Sequence, residues 1–547
     1  MTLRKHLRRV GGVVVTTLAS LLVFLELVLP DQITRLPPGN PVVNALVRVP
    51  IEGLVALAVL LVLPPKPRRI VATVFGALLG VLTMIKLIDI GFFLVLAREF
   101  DPVNDGILFK DGYNYLQDSY GGWGAFGVAA VATLLTVAII TFTTLAVRRL
   151  TRILTVKHTD STRHTVFALS SAWLVLTVVG VQIVGGVPVA SQAAAQLATD
   201  TVLKVPQDIQ ARKQFTREAA VDAYKNTPGN QLLTGLQGKD VILSFVESYG
   251  RGSLEDPAYN SAVLAGLKTD EGKLASKGFA AKTGFLHSPT FGGGSWYAHS
   301  TLLTGLWIPD QNRYESVVSS NRLSLTRVFK RAGYRTVAVE PGVTYKWQPE
   351  ESFYGYDQLW DSHTLNYHGP SYSWSTMPDQ FVMQRFEENE YGKPNRGPLL
   401  GEITLTSSHT PWNPVPKTIP WDQLGDGSVF NTQEGEDKTN DLGAKKAYAQ
   451  SIAYSVDTLI SFIQKYGKDN LVMVFLGDHE PAANVSGLNS SHDVPITIVA
   501  KDPKVLDKIS SWNWTDGLIP APNAPVWQMN QFRDKFLQAY GPDGAPQ

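Results

Sequence analysis

Leu471–Glu480 reads LVMVFLGDHE, an unbroken apolar run that ends in a glycine and is followed at once by an aspartate and a histidine. A run of this length without polar alternation predicts a strand buried on both faces, as in a parallel sheet covered by helices. The neighbouring texture agrees. DVILSFVES (240–248), RTVAVEPG (335–342), GEITLTSSH (401–409) and PITIVAKDP (495–503) read as further buried strands. Between them lie helical patterns such as RLSLTRVFKRAG and KKAYAQSIAYSVDTLISFIQKYG. Strands alternating with helices predict a mostly parallel central sheet in an α/β domain. In open α/β sheets the ligand lies beyond the carboxyl ends of the strands. Glu247, His409, Asp478 and His479 all fall at such ends. Carboxylate oxygens and an imidazole nitrogen on one rim suit a divalent cation such as Mn²⁺ or Zn²⁺.

The stretch Thr290–Gly305, TFGGGSWYAHSTLLTG, delivers Ser295 through three consecutive glycines onto the start of a helical pattern. One reading is a tight turn with a serine N-cap. The other is a backbone kept bare around an attacking oxygen, at a helix N-terminus suited to an anion. A serine hydroxyl is a poor nucleophile until a cation or a base takes up its proton. The carboxylates and histidine at the strand ends supply that environment.

The first part of the chain is different. Spans near Val10–Pro30, Val43–Leu63, Ile70–Leu96, Trp123–Val147 and Thr165–Ala190 are each apolar and long enough to cross a bilayer, which takes about 20 residues. Arg4, Lys5, Arg8 and Arg9 precede the first span. Lys66, Arg68 and Arg69 follow the second, and Arg148, Arg149, Arg152, Lys157 and Arg163 follow the fourth. The loop after the third span carries Glu99, Asp101, Asp105, Asp111 and Asp118 instead. By the positive-inside rule the N-terminus is cytoplasmic, and five spans place everything after Ala190 outside. Arg48 with Glu52, and Lys86 with Asp89, are spaced to pair on single helix faces.

The expected organisation is a five-helix transmembrane domain (1–190), a helical linker (191–239), an extracellular α/β catalytic domain (240–505) and a C-terminal extension (506–547). Leu424–Gly443, rich in Gly, Asp, Asn and Glu, reads as a mobile loop. With 49 Lys plus Arg against 48 Asp plus Glu, nothing in the charge balance points to nucleic acid. Cysteine is absent, which excludes disulfides and cysteine metal sites.

The motifs FVES (245–248), GGS (293–295) and GDH (477–479), in this order behind five spans, resemble the sulfatase-like branch of the alkaline phosphatase superfamily. Within it the chain is similar to lipoteichoic acid synthase and related membrane phosphoglycerol transferases. The resemblance implies that Glu247, Ser295, Asp478 and His479 hold one divalent ion, Mn²⁺ first and Mg²⁺ or Zn²⁺ as alternatives. It implies that Ser295 is the nucleophile, that His409 contacts the substrate phosphate, and that His492 and Trp347 line the substrate site. The implied activity moves a glycerol-phosphate-type group from a phospholipid donor to a cell-envelope glycopolymer or glycolipid. A phospho-serine intermediate lies between the two steps, and the setting is a bacterial cell membrane.

Two departures stand out. Trp347 is followed by Gln348 and Pro349 where the synthases carry Asn-Arg, and Gly294 stands where they often carry lysine. An extracellular phosphodiesterase or a phosphoethanolamine transferase of the same superfamily is therefore the alternative, as is a silent scaffold that kept the fold. Sulfate-ester hydrolysis is disfavoured. The positions two and four after Ser295 hold Tyr297 and His299, not the proline and arginine that direct formylglycine formation. Among the other candidates, His299, Asp379 and Asp457 read as structural and His287 as a loop residue. His363, Tyr367, His368, Tyr372 and Trp374 suit either an acceptor groove or domain packing.

Overall fold

The computed structural model describes residues 2–29, 49–102, 104–157, 159–179, 182–184, 187–188, 190–191, 199, 210–344, 350–372, 374–431 and 443–542. Trp347, Arg48 and much of the expected mobile loop and linker lie outside the described residues. The chain divides into two compact units. One is Met1–Leu94 with Arg98–Ile209, the other Gln210–Gln547 with Val95–Ala97.

The first unit is helical: α1 (Thr2–Val28), α2 (Ile51–Val62), α3 (Pro65–Leu96), α4 (Gly106–Arg152) and α5 (Thr159–Val179). Among the described residues, three helical stretches are long and apolar enough to cross a membrane: Val10–Val28, Pro65–Leu96 and Gly121–Thr155. The expectation of five therefore resolves differently. The second span appears as the 12-residue α2, too short to cross alone. The fifth appears as α5, whose first turns carry Asp160, Arg163 and His164. The described residues beyond it form short strands, Gln182–Val184, Val187–Pro188 and Ala190–Ser191, in place of a continued helix.

Helices α3 and α4 approach closely because Gly76 and Gly80 carry no side chain. A Cβ there would lie 2.7 Å from Thr144 Cα and 2.8 Å from Ile140 Cα, respectively. Small residues give membrane helices this kind of contact. Within the bundle Lys86, fully buried, donates to the Glu26 carbonyl at 3.1 Å, and Thr143 Oγ1 donates to Glu26 Oε1 at 2.5 Å.

The second unit is built on a sheet of β1 (Asp240–Val246), β2 (Ala280–His287), β3 (Arg335–Glu340), β4 (Gln358–Asp361), β5 (Leu399–Leu405), β6 (Leu471–Gly477), β7 (Asp493–Ala500), β8 (Thr515–Asp516) and β9 (Val526–Gln528). The order is β8-β2-β7-β6-β1-β5-β3-β4, with β9 also on β2. From β6 to β4 every pairing is parallel. The expectation of a mostly parallel sheet holds, with β7 as an exception that runs antiparallel to both β6 and β2. The β6–β7 connection contains only the short helix Ala483–Ser486. A parallel return needs a long crossover, usually a full helix, so this connection turns the chain back.

Alternate residues of the central strands feed two cores. Val241, Leu243 and Phe245 of β1 join Val472, Val474 and Leu476 of β6 on one face. Ile242 and Val246 join Leu471, Met473 and Phe475 on the other. The first core is roofed by α7 (Ser295–Thr304), α9 (Leu325–Arg331) and α12 (Gln531–Tyr540), the longer helices between α5 and α9 being α6 (Asn260–Ser276), α7 and α8 (Gln311–Val318), besides the one-turn helix Gly252–Glu255. The second is roofed by α6, α10 (Asp379–Phe386) and α11 (Ala444–Tyr466).

Segments outside 240–505 pack into the first core as well. Phe215, Ala219 and Leu236 come from before β1, and Trp512, Phe532 and Tyr540 from after β7. A buried ion cluster joins the two ends. Asp222 accepts from Arg533 Nη2 at 3.0 and 2.9 Å, and Arg322 Nε lies 3.5 Å away. Burial alone would raise the Asp222 carboxyl, but the two guanidiniums outweigh it and hold it below its usual range.

Candidate active site

Parallel register sets the site. Val246 pairs with Leu405 on one side and Gly477 on the other, so β5, β1 and β6 end level. The residues just past those ends, Glu247 and the pair Asp478 and His479, are therefore carried to one rim. The described glycines of the Ser295 loop are forced by conformation. Gly292, Gly293 and Gly294 have φ of 70°, 155° and 81°, values that L side chains adopt only with strain. Gly292 N donates to the Glu480 carbonyl at 2.9 Å, and His479 Nδ1 donates to the same carbonyl at 2.7 Å. One oxygen thus aligns the glycine loop with His479.

Ser295 begins α7 and does not cap it; Gly294 holds the cap position without a side-chain bond. Its Oγ instead donates to Glu247 Oε2 at 2.9 Å and lies 3.2 Å from His479 Nε2. Glu247 Oε1 accepts from Ser248 Oγ at 2.8 Å and lies 3.4 Å from His479 Nε2. Asp478 Oδ1 is held by the amides of Ser248 and His479, both at 2.8 Å. That leaves Asp478 Oδ2 buried and without a hydrogen-bond partner, 3.7 Å from His479 Nε2. Because Nδ1–H of His479 points to the Glu480 carbonyl, Nε2 is the nitrogen that faces the site, free to bind a cation once it gives up its proton.

Ligand-type atoms of Glu247, Asp478 and His479 lie within 4.8 Å of one another, all buried. An orphaned carboxylate oxygen, two more acceptors and a serine hydroxyl around one point are the donor set a divalent cation takes. Buried acceptors this close repel one another otherwise. The electrostatics agree. Burial and the Asp478 charge push the Glu247 carboxyl up to about 7. Burial opposes ionisation of Asp478 too, yet the neighbouring His479 and His299 hold it well below the usual carboxylate range. Burial lowers His479, but Asp478 and Glu247 outweigh it and keep the imidazole above its usual value.

Supporting contacts fix the rim. Ser408 Oγ donates to the Glu247 carbonyl at 2.6 Å, and Tyr448 Oη to the Ser248 carbonyl at 2.8 Å. Asp379 is fully buried and accepts from the amides of Thr406 and Ser407 and from Ser455 Oγ. It sets the turn that leads to His409, a structural part in keeping with its expected role. Asp457 pairs with Lys273.

His409 stacks on Trp374 at 3.9 Å between ring centres and donates from Nδ1 to the Thr410 carbonyl at 2.5 Å. Burial pushes its pKa down to about 4, so the ring is neutral and its Nε2 is a proton acceptor. His492 stacks with His287 at 5.4 Å and packs on Phe291. Burial, then His287, lowers its pKa. His287 itself is held by Asp493 Oδ1 at 2.9 Å. Of the aromatic candidates, Trp374 reaches the site through His409, whereas Tyr367 and Tyr372 pack on Phe430. His363 bonds to the Thr344 carbonyl, and His368 stays exposed beside Asp426.

Sequence reading did not find a second cluster, His299 with Glu340 and Glu402, whose ligand-type atoms also lie within 4.8 Å. His299 stacks on Phe245, and its Nε2 lies 3.8 Å from Asp478 Oδ2. Glu402 accepts from Tyr356 Oη and Glu340 from Thr404 Oγ1. Burial, with Glu402 next, pushes Glu340 up to about 8, and burial pushes Glu402 up to about 7. Glu340 is thus mostly protonated at neutral pH, and Glu402 titrates around it.

Residues 239–505 match the Sulfatase family model, so this α/β domain is sulfatase-like. Three solved structures are among those similar to the chain. The lipoteichoic acid synthase LtaP from Listeria monocytogenes is 16% identical, covering 61% of this chain and 79% of that one, at a TM-score of 0.38. The integral membrane lipooligosaccharide phosphoethanolamine transferase A from Neisseria meningitidis is 12% identical, covering 95% of each chain, at 0.45. The Streptococcus pyogenes phosphoglycerol transferase GacH, in complex with sn-glycerol-1-phosphate, is 13% identical, covering 60% of this chain and 91% of that one, at 0.34. No curated protein sequence matches.

Proposed function

We propose that this chain is a membrane-anchored, metal-dependent phosphotransferase, with Ser295 as nucleophile and its α/β domain outside the cell. The reading rests on one observation above all. Ser295 Oγ sits between Glu247 Oε2 and His479 Nε2, beside the unpartnered Asp478 Oδ2. Those residues hold one divalent ion, Mn²⁺ in the first instance. When bound, the ion supplies charge that lowers the pKa of the serine hydroxyl and offsets the charge of the phosphoryl oxygens.

Ser295 Oγ attacks the phosphorus of a phospholipid headgroup, forming an Oγ–P bond as the P–O bond to the glyceride oxygen breaks. The serine proton ends on that oxygen, and diacylglycerol departs. A hydroxyl of an envelope glycopolymer or glycolipid then attacks the phospho-serine, and its proton returns to Ser295. Neutral His409, with Nε2 open, is set to accept the incoming hydroxyl's proton in this second step. With a pKa near 4 it does not serve as an acid toward the leaving group. His492 is the further residue of this chain proposed for the substrate side; Trp347, expected there from the sequence, lies outside the described residues.

The group moved is of the glycerol-phosphate type, with phosphoethanolamine as the alternative. The test gives the full chain, in detergent with Mn²⁺, phosphatidylglycerol or phosphatidylethanolamine labelled in the headgroup. Label leaving phosphatidylglycerol in wild type and not in Ser295→Ala is expected. Turnover of phosphatidylethanolamine alone would move the assignment to the alternative. Turnover that survives in Ser295→Ala would overturn the mechanism.

A further inference from the structure

The helical unit contains a cavity of about 840 Å³ walled by α1, α3 and α4 and capped by arginines. Its apolar wall includes Leu18, Ala19, Leu22, Phe142, Leu145 and Ala146. At its polar end stand Arg68, Arg69, Arg148, Arg149 and Arg152. No carboxylate among the described residues lies within ion-pairing distance of any of the five.

Two of these arginines are built in. Arg149 donates from Nη2 to the Gly12 carbonyl at 2.6 Å and from Nε to Thr16 Oγ1 at 3.1 Å, tying α4 to α1. Arg68 donates to the Leu63 carbonyl at 2.7 Å and to Thr155 Oγ1 at 3.3 Å, while its Nε is buried with no partner. The guanidiniums of Arg69, Arg148 and Arg152 make no hydrogen bond among the described residues. Five guanidiniums around one cavity repel one another and favour an anion among them. Guanidinium forks match phosphate oxygens in geometry as well as charge.

We propose that this cavity binds an anionic phospholipid, its phosphate among the arginines and its acyl chains along the apolar wall. The apolar wall is what selects a lipid over free phosphate. The lack of an acidic partner among the described residues is what selects an anionic over a zwitterionic headgroup, whose ammonium would face the arginines. A basic pocket between membrane helices at their positively charged end has this chemistry in general. The same arginines mark that end as cytoplasmic. The bound lipid is therefore an inner-leaflet resident and not the donor of the proposed transfer. The inference stands or falls separately from catalysis.

The test uses the full chain in detergent and native mass spectrometry with phosphatidylglycerol and phosphatidylethanolamine at equal concentration. One retained phosphatidylglycerol per chain is expected, in preference to phosphatidylethanolamine. The combined Arg69→Gln, Arg148→Gln, Arg152→Gln variant should bind it roughly a hundredfold more weakly. A control with Lys66→Gln and Arg163→Gln, exposed cations that do not line the cavity, should bind as wild type does. Helical circular dichroism of each variant checks that the bundle stays folded. If both lipids are retained equally, or the control pair loses as much as the cavity variant, the proposal is overturned. Displacement of the lipid by millimolar inorganic phosphate would likewise overturn it, since the arginines would then be reading phosphate alone.

Discussion

Glu247 makes metal binding a proton-release reaction. Its carboxyl has an ordinary value of 4.5 and is pushed up to about 7 by burial and the Asp478 charge. A cation binds the ionised form, so below pH 7 it must expel a proton. Affinity then falls about tenfold per pH unit. Half ionised at pH 7 and about 3% ionised at pH 5.5, this carboxyl alone costs roughly fifteenfold across that window, about 1.6 kcal/mol. A carboxyl left near 4.5 would cost almost nothing over the same window. His479, held above its usual value, adds a second proton to the exchange and steepens the fall. The assay titrates the full chain with Mn²⁺ from pH 5.5 to 8, following the free-ion electron paramagnetic resonance signal. Glu247→Gln should bind more weakly throughout, with a pH dependence shallower by about one proton. An affinity that does not change between pH 5.5 and 7, or an identical slope in Glu247→Gln, would refute the reasoning.

Two further predictions concern stability of the α/β unit. Asp222→Asn leaves the fully buried Arg533 and the nearby Arg322 without their shared carboxylate. It should cost about 3–5 kcal/mol, read as faster native-state hydrogen exchange in β1 and α12 of the full chain. Glu402 is a buried acid whose folded value, about 7, lies above the ordinary 4.5. Its stabilising contribution is full below 4.5 and lost as pH rises through 7. Glu402→Gln should therefore match wild type near pH 5 and gain up to roughly 3 kcal/mol over it by pH 8, again by hydrogen exchange. A gain that is the same at both pH values would contradict the assigned titration.

Much of the site could be read from the chain because its residues follow uninterrupted apolar strands. Asp478 and His479 after LVMVFLG, and Glu247 after VILSFV, needed only the rule that strand ends carry ligands. Ser295 was legible through its glycines, although their immediate cause is the run of positive φ at Gly292–Gly294. The second cluster was hidden because its members come from three elements. Glu402 looks like an ordinary strand residue in LLGEITL, and only the pairing of β3 with β5 sets it near Glu340. A lone acid inside an otherwise apolar central strand was the available signal. The strand β2, AAKTGFLH, was missed because alanine, lysine and glycine dilute its pattern. Its place in the sheet comes from pairing with β7 along its length, which is tertiary information. The antiparallel turn of β7 is likewise a matter of connection length and not of strand composition.

The central claim is that Ser295 carries the phosphoryl group between donor and acceptor. Its most direct test is the intact mass of the full chain after incubation with Mn²⁺ and phosphatidylglycerol in the absence of acceptor. The account predicts an adduct of glycerol-phosphate mass that maps to Ser295 and is missing from Ser295→Ala. Headgroup release with no adduct at any time, or an adduct that persists in Ser295→Ala, would contradict it.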